Sequence, residues 1–592
     1  MPWRNATLLP TWMCCALFAL LSTQGAAQWT VTDFGAVANG EGDCTKSFQQ
    51  ALDAAGAAGG GIVTVPAGRF RFEGTLRIPT AVTLQGVYRV PPSETQFAKQ
   101  AYTGTILEAI SGRGEPAGEP FIRLAGHMSV VAGLIIRYPE WSQTDVPPVP
   151  YPPAVLCADV LDAGVFDLLL INAYDGLRFE RSHRFTVRNV FGYPSHCGLY
   201  VDQCGDIGRI ENCHFWPFGV MYEPDDPYCK WVNVNGTAFE FNRTDWQSCT
   251  NTFCFGYGVG YKFGATQSGS CNGSFLGIGA DSCRRSVLVD SAPGAADLLI
   301  TNGQFVGRWS SRDSVGVEVT GKTTQRVGLV NCCMWGPLER CVVMDAPAAR
   351  LTISATNFMS WDVNGALAPA VQIDAGKAIL EGNTFSRAGL HVEVAERVRS
   401  AIIMGNQAEG GLYVINRAGD RTQLLANERD AIVWTPEGRA HYRIDVGAGC
   451  DARYLRGWHA QEPAGEWPDG GTKRWSMGTS AIRLPVVPGR DYTLTLDVHV
   501  PGFAAGEDNG LYIGDQRIAS LSQAGLQVLQ AEIPSVAQEQ ATLELRVHGW
   551  LPKEELPNNT DPRELGVAVR SMTMQAHGAP DKVFNACTGD WE

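Results

Sequence analysis

A chain of 592 residues with 66 Gly, 33 Pro and 18% charged residues is too rich in turn formers for a helical protein and long enough for more than one folded unit. The net charge of −14 argues against a nucleic-acid partner, because phosphate binding needs clustered Lys and Arg. It leaves room for a local basic groove that takes an anionic polysaccharide.

Residues 1–27 read as a signal peptide. Arg4 supplies the positive start, Met13–Leu21 the apolar stretch, and Gly25-Ala26-Ala27 a small-residue cleavage site. The apolar stretch is too short to span a bilayer, and no later one reaches the roughly 20 residues that spanning needs. The expected location is therefore outside the cytoplasm, secreted, periplasmic or at the cell surface. Of the 17 Cys, Cys14 and Cys15 would leave with the signal, and the odd number left implies at least one unpaired thiol. No CxxC pair occurs, so no zinc site is expected.

Next comes one short amphipathic helix, about Cys44–Ala57. Asp43 is placed to cap it, Phe48, Leu52 and Ala55 recur at helical spacing, and Gly59-Gly60-Gly61 ends it. Short strands follow at Ile62–Val65, Arg69–Phe72 and Val82–Leu84. The order Asp33-Phe34-Gly35-Ala36, the Phe48–Ala55 helix, the Gly59–Phe72 stretch and Thr75–Gly86 resembles the N-terminal signature of the pectate-lyase-like right-handed parallel β-helix superfamily. That resemblance is specific over about Trp29–Gly86. It implies an all-β solenoid whose first coil is capped by the helix, and it spans lyases, polygalacturonase-related hydrolases, epimerases and tailspikes.

The solenoid is also legible in the repeats. GLRFE at Gly176–Glu180 returns as GLYVD at Gly198–Asp202, and VRNVFG at Val187–Gly192 as IENCHF at Ile210–Phe215. A unit of about twenty residues that cannot bury its own apolar face must stack on copies of itself. Apolar-flanked Asn residues recur at Asn172, Asn189, Asn212, Asn251, Asn272, Asn302, Asn331, Asn357, Asn383, Asn406 and Asn427. Asn tolerates the left-handed bend a tight coil needs, so these are expected to form a structural ladder. Before each turn runs an alternating strand whose second position faces solvent. Read up the stack, that position gives Arg178, Tyr200, Glu240, Lys262, Leu288, Glu318, Val343, Gln372, His391 and Tyr413.

The β-helix is expected over 28–435. Regular strands with Pro-Gly and Gly-Asp turns over 440–577 suggest a β-sandwich, loosely similar to carbohydrate-binding accessory modules, with 578–592 left as a tail.

Because a parallel β-helix has a filled interior, a ligand must lie along its outside. Two long loops flank the uneven part of the exposed column. Tyr138–Pro153 carries Trp141 and Tyr151; Trp216–Gly236 carries Trp216, Tyr222, Asp225, Asp226 and Trp231. Between them stand Arg178, Tyr200, Glu240 and Lys262, with Glu180, Asp202 and Asn242 at the adjoining turn. Asp202 and Glu240 sit on adjacent coils, about 8 Å apart at Cα from strand geometry, a spacing that suits the carboxyl pair of a glycoside hydrolase. This reading names Asp202, Glu240 and Lys262 as catalytic, with Arg178, Tyr200 and the loop residues binding a polysaccharide, and requires no cofactor. A uronate lyase would use Lys262, Arg178 and Tyr200, with Asp225 and Asp226 as calcium ligands. A non-catalytic, tailspike-like binding protein is the third reading. His183, His196 and His214 stand in reserve, as do Asp206, Glu211 and Asp281. The N-T-D, paired D-D, G-H-G and R-I-K motifs of polygalacturonases are missing, so homogalacturonan hydrolysis is not implied.

Overall fold

The computed structural model describes residues 28–592 except 90–102, 291, 295, 367 and 429–433, so the expected signal peptide at 1–27 lies outside the described residues. Parallel strands from Gln28 to Leu425 pair coil to coil into one continuous stack. Each complete coil carries three short faces. The first is exemplified by the strands Asp175–Glu180, Cys197–Asp202, Thr237–Phe241 and Val259–Phe263, the second by Arg209–Glu211, Thr244–Thr250 and Gly269–Leu276, and the third by His214–Phe215, Phe253–Phe255 and Gly279–Cys283. Helix α1, Thr45–Ala57, lies against the first coils and buries Phe48, Ala51, Leu52 and Ala55 there. Asp43 stands one residue before the Cys44 cap position, and its Oδ1 accepts from Thr45 N at 3.0 Å and Thr45 Oγ1 at 2.5 Å.

The interior follows from the alternation. On the first face Leu177, Leu199, Phe239, Tyr261, Val287, Val317 and Val342 point inward and are essentially solvent-free. Like rings stack at about the strand spacing, Phe239 on Tyr261 at 4.8 Å and Phe358 on Phe385 at 4.7 Å. The glycines that open two of the repeats have a packing reason: a Cβ on Gly198 would lie 2.4 Å from Ala238 O and 2.5 Å from the Phe215 ring, and one on Gly176 would meet Gly198 O at 2.3 Å. At these two positions any side chain would collide with the coil above, and glycine avoids it.

The Asn ladder is present but moves by one residue along the stack. The left-handed bend is occupied by Asp167, Asn189, Asn212, Asn251, Gly277, Asn302, Asn331, Ala355, Gly382, Gly405 and Ala426, all with positive φ. Asn212 Nδ2 donates to Asn189 Oδ1, and Asn331 Nδ2 to Asn302 Oδ1, each at 2.8 Å. Asn383, Asn406 and Asn427 occupy the next position inward, forming a second ladder in which Asn383 and Asn406 are buried and Asn427 is half-buried. Asn172 lies outside this bend, and Asn272 and Asn357 lie in strands. Asn406 is the best-connected member. Its Oδ1 accepts from Asn383 N and Nδ2, and its Nδ2 donates to Leu380 O and Asn427 Oδ1. Asn406→Ala is expected to cost about 3 kcal/mol or more, since it orphans several buried partners at once; denaturant unfolding of the full chain reads this directly.

Strands from His441 to Asn585, antiparallel except for the last, enclose a second core of Tyr442, Ile482, Leu484, Leu494, Leu543 and Met574. The long strand Thr472–Pro485 pairs with Ala568–Ala576 near its start and with Gln540–Arg546 farther on, so it joins two groups of strands. Residues 578–592 are not a tail. Phe584–Asn585 pairs with the strand His441–Asp445, and Cys587 forms a disulfide with Cys450. Thirteen further described cysteines are free, all but Cys333 buried, where they act as small apolar groups. No described helix is long and apolar enough to cross a membrane.

Candidate active site

On the first face the exposed column has the expected order: Arg178 pairs with Tyr200, Tyr200 with Glu240, Glu240 with Lys262, and on to Leu288, Glu318, Val343 and Gln372. Its upper end differs. Gln372 pairs with Glu393 and Glu393 with Ile415, not with His391 and Tyr413. A slip of two residues preserves in–out alternation, so the apolar pattern cannot detect it. His391 is instead buried between Trp361 and Phe385. Below Arg178 the column continues through Leu156, Arg123 and Arg77, a cationic extension.

Arg178, Tyr200 and Glu240 line a cavity of about 120 Å³ together with Asp175, Leu177, His196, Cys197 and Pro153. The Arg178 guanidinium lies 4.2 Å from the Tyr200 ring centre and donates from Nε to Glu180 Oε1 at 2.6 Å. Lys262 Nζ reaches Glu240 Oε1 at 3.2 Å, and Asn242 Nδ2 donates to the same oxygen at 3.3 Å. His196 Nδ1 is 2.7 Å from Asp175 Oδ1, and the His196 ring stacks on Tyr174 at 4.8 Å and 11°. An ionised carboxylate only accepts, so Nδ1 carries the proton and Nε2 is the basic nitrogen of a ring that lines the cavity. The hydrogen bond to Asp175 raises the His196 pKa, against the opposing effect of burial. Burial pushes the Tyr200 phenol up to about 12.

Asp202 stands elsewhere in chemical terms. It is only 7% exposed, beneath the hairpin formed by Ala265–Thr266 and Gly269–Leu276. Its Oδ1 accepts from Arg243 N at 3.2 Å and Thr266 Oγ1 at 3.0 Å. It is a turn-bracing group and does not line the cavity with Glu240. Asp202→Ala is expected to leave turnover within about twofold and to cost about 2 kcal/mol of stability, read by parallel activity and unfolding assays.

The loop aromatics brace the walls instead of lining the cavity. Trp141 Nε1 donates to Tyr228 Oη at 3.1 Å; Tyr151 is buried edge-on against Tyr138 at 4.8 Å. Trp216 packs with Phe255 at 4.5 Å over the third face, and Tyr222 meets the same ring at 4.9 Å. Trp231 packs on the main core from helix α2, Pro227–Asn235. The two loops also bond to each other, through Gln143 Nε2 to Met221 O and Met221 N to Gln143 Oε1. Asp226 caps α2, its Oδ1 accepting from Tyr228 N and Cys229 N, and Asp225 pairs with Lys230 at 3.0 Å. These two carboxylates therefore do not converge as calcium ligands, and among the described residues no cluster of three His, Cys, Asp or Glu could hold a metal.

Of the reserve residues only His196 lines the cavity. His183 Nδ1 contacts Gly205 O, His214 is half-buried among aromatic rings with its pKa lowered to about 4 by desolvation, and Asp206 pairs with Arg184. Glu211 lies on the second face and Asp281 on the third. Asp175 was missed, although aligning the repeats at Gly176 and Gly198 sets Asp175 opposite Cys197 and one step from His196.

Residues 29–119 match the family described as rhamnogalacturonase A/epimerase, pectate lyase-like. That match covers helix α1 and the first coils of the parallel β-helix. The chain is also similar to mannuronan C5-epimerase AlgE1 of Azotobacter vinelandii, 52% identical over 46 residues; that match spans 8% of this chain and 3% of the relative's length. Among solved structures, the AlgE6 A-module of a mannuronan C-5 epimerase from the same organism covers 67% of this chain and 98% of its own, with 15% identity and TM-score 0.40. A tailspike protein of E. coli bacteriophage HK620, in complex with a pentasaccharide, covers 93% of each chain with 11% identity and TM-score 0.45.

Proposed function

We propose that this β-helix acts on a uronate-containing polysaccharide by taking the proton from C5 of a uronate unit, the step shared by elimination and epimerisation. The observation that carries the reading is the Asp175–His196 pair, opening on the same cavity as Tyr200 and Arg178. His196 Nε2 is the base, made stronger by its bond to Asp175. Arg178, with Lys262 farther along the column, offsets the charge that grows on the uronate carboxylate as the proton leaves. Tyr200, protonated at rest, returns a proton, either to the departing O4 in elimination or to C5 in epimerisation. The name of the matched relative, a mannuronan C5-epimerase, is consistent with that chemistry.

Hydrolysis is less well supported, because it needs two available carboxyls. Asp202 lies under its hairpin, and the Glu240 carboxylate is engaged by Lys262 and Asn242. The Cys450–Cys587 disulfide supports residence in an oxidising compartment outside the cytoplasm. The strands of 441–585 serve in this reading as an accessory unit.

Incubation with polymannuronate and polygalacturonate in deuterated water tests the reaction. Deuterium at C5 without chain cleavage means epimerisation, and unsaturated ends absorbing in the ultraviolet mean elimination. Reducing ends with neither would return the assignment to hydrolysis, and retention without any reaction to a binding protein.

A further inference from the structure

A second feature lies around the turn from the candidate active site, on the second face. The strands Thr244–Thr250 and Gly269–Leu276 shift register between Thr244 and Gln247: Thr244 faces Cys271 while Gln247 faces Gly273. One extra residue is thus inserted, and Trp246 is thrown outward with φ 49°. A bulky residue in the left-handed region is costly unless the surroundings fix it, and a bulge of this kind re-aims a side chain.

The fixing groups are present. Arg243 grips both Asp245 oxygens at 2.6 Å, Asn272 Nδ2 donates to Asp245 Oδ1 at 2.7 Å, and Asn272 Oδ1 accepts from Trp246 N at 2.9 Å. The indole held this way is 74% exposed, more than any other large apolar side chain described. Beside it opens a cavity of about 580 Å³ whose floor includes Ser248, Ser274, Asn272 and Leu299. The acidic groups at its margins are paired with arginines, Asp245 with Arg243, Asp297 with Arg326, and Asp206 with Arg184, which Asp162 shares.

We infer that this cavity is a second saccharide-binding site, in which a pyranose ring of the polymer stacks on Trp246 while its hydroxyls meet Ser248, Ser274 and Asn272. A rigid ring with one apolar and one hydroxyl-bearing edge matches a flat indole beside neutral hydroxyls and an amide. With the charges at its margin paired to one another, the site reads the ring face and hydroxyls of a sugar unit and leaves any carboxylate of that unit in solvent. Such a site holds the polymer to the enzyme without touching the reacting unit. The ligand class rests on the polysaccharide reading above, but the site shares no residue with the first cavity.

The test is affinity electrophoresis of the full chain through gels containing polymannuronate, polygalacturonate or a neutral β-glucan. Trp246→Ala should weaken retardation about fivefold to tenfold in the gel that retards the parent, as expected for one lost aromatic contact. Trp309→Ala, an equally surface-borne indole outside the cavity, should leave it unchanged. Turnover of a short soluble oligouronate should be the same in parent and Trp246→Ala, which separates this site from the reaction. Unchanged retardation of Trp246→Ala, equal losses in both tryptophan variants, or a parent chain that no gel retards would each overturn the inference. So would a sedimentation shift showing that Trp246 joins two copies of the chain. Retardation that depends on Trp246 in a chain that exchanges no C5 hydrogen would sink the reaction and keep this site.

Discussion

His196→Ala is expected to lower turnover of the uronate polymer by about 10²–10⁴-fold, the usual contribution of a positioned general base, while KM changes little. The ring lies at the cavity wall, half exposed, so its removal leaves the coil beneath intact. Tyr200→Phe should cost a similar factor, because Phe keeps the stack under Arg178 and removes only the phenol proton. A His196→Ala enzyme retaining more than about a tenth of the parent rate would end the assignment.

The pH profile gives the same mechanism a second, independent readout. His196 must be neutral to accept a proton, and its bond to Asp175 raises its pKa above the ordinary value of about 6.5. Activity should therefore rise through a limb lying above pH 6.5 and stay level until Tyr200 begins to ionise near 12. Asp175→Asn should move the acid limb down in pH and reduce the plateau, whereas a purely structural Asp175 would lower the plateau without moving the limb. Folding stability carries the opposite sign. The Asp175–His196 bond helps the folded chain fully below the unfolded-state pKa and is lost as pH rises through the raised one. With the ring half exposed, solvent screening keeps that contribution small.

What could be read from the chain and what could not divides along physical lines. Helix α1, the repeated glycines Gly176 and Gly198 and the column from Arg178 to Gln372 are set by neighbours in sequence or by strict repetition, and periodicity exposes them. The Asn ladder was legible as a set of residues but not as two ladders, because Asn suits both the bend itself and the buried position after it. Asp202 was misjudged for a different reason. The hydroxyl that engages it belongs to Thr266, on a hairpin the repeat pattern does not announce. The Asp175–His196 pair was hidden by scale. Asp175 opens its strand and His196 just precedes the next, ahead of the alternating part of the repeat, and only coil-to-coil stacking brings them together.

Reduction of the Cys450–Cys587 disulfide, or Cys450→Ala with Cys587→Ala, is expected to destabilise the 441–585 strands by up to about 5 kcal/mol. The bond closes a loop of sequence separation 137, and restricting an unfolded chain over that length is worth about that much in the loop-entropy account. The local architecture makes the dependence acute. Phe584–Asn585 is held by a two-residue register with the strand His441–Asp445, too little to dock a chain end by itself. The ring of Phe584 nevertheless packs on Trp434 and closes one side of the second core. Once the tether is cut, that short strand should detach first and admit water to Tyr442 and Ala586, both solvent-free in the intact fold. The coils of 28–425 share neither the disulfide nor this core, so their unfolding midpoint should stay where it was. Denaturant unfolding followed by far-ultraviolet dichroism, with and without reductant, should therefore show one transition moving and one fixed. If neither transition moves, the second core is closed by packing alone; if both move together, the two units unfold as one.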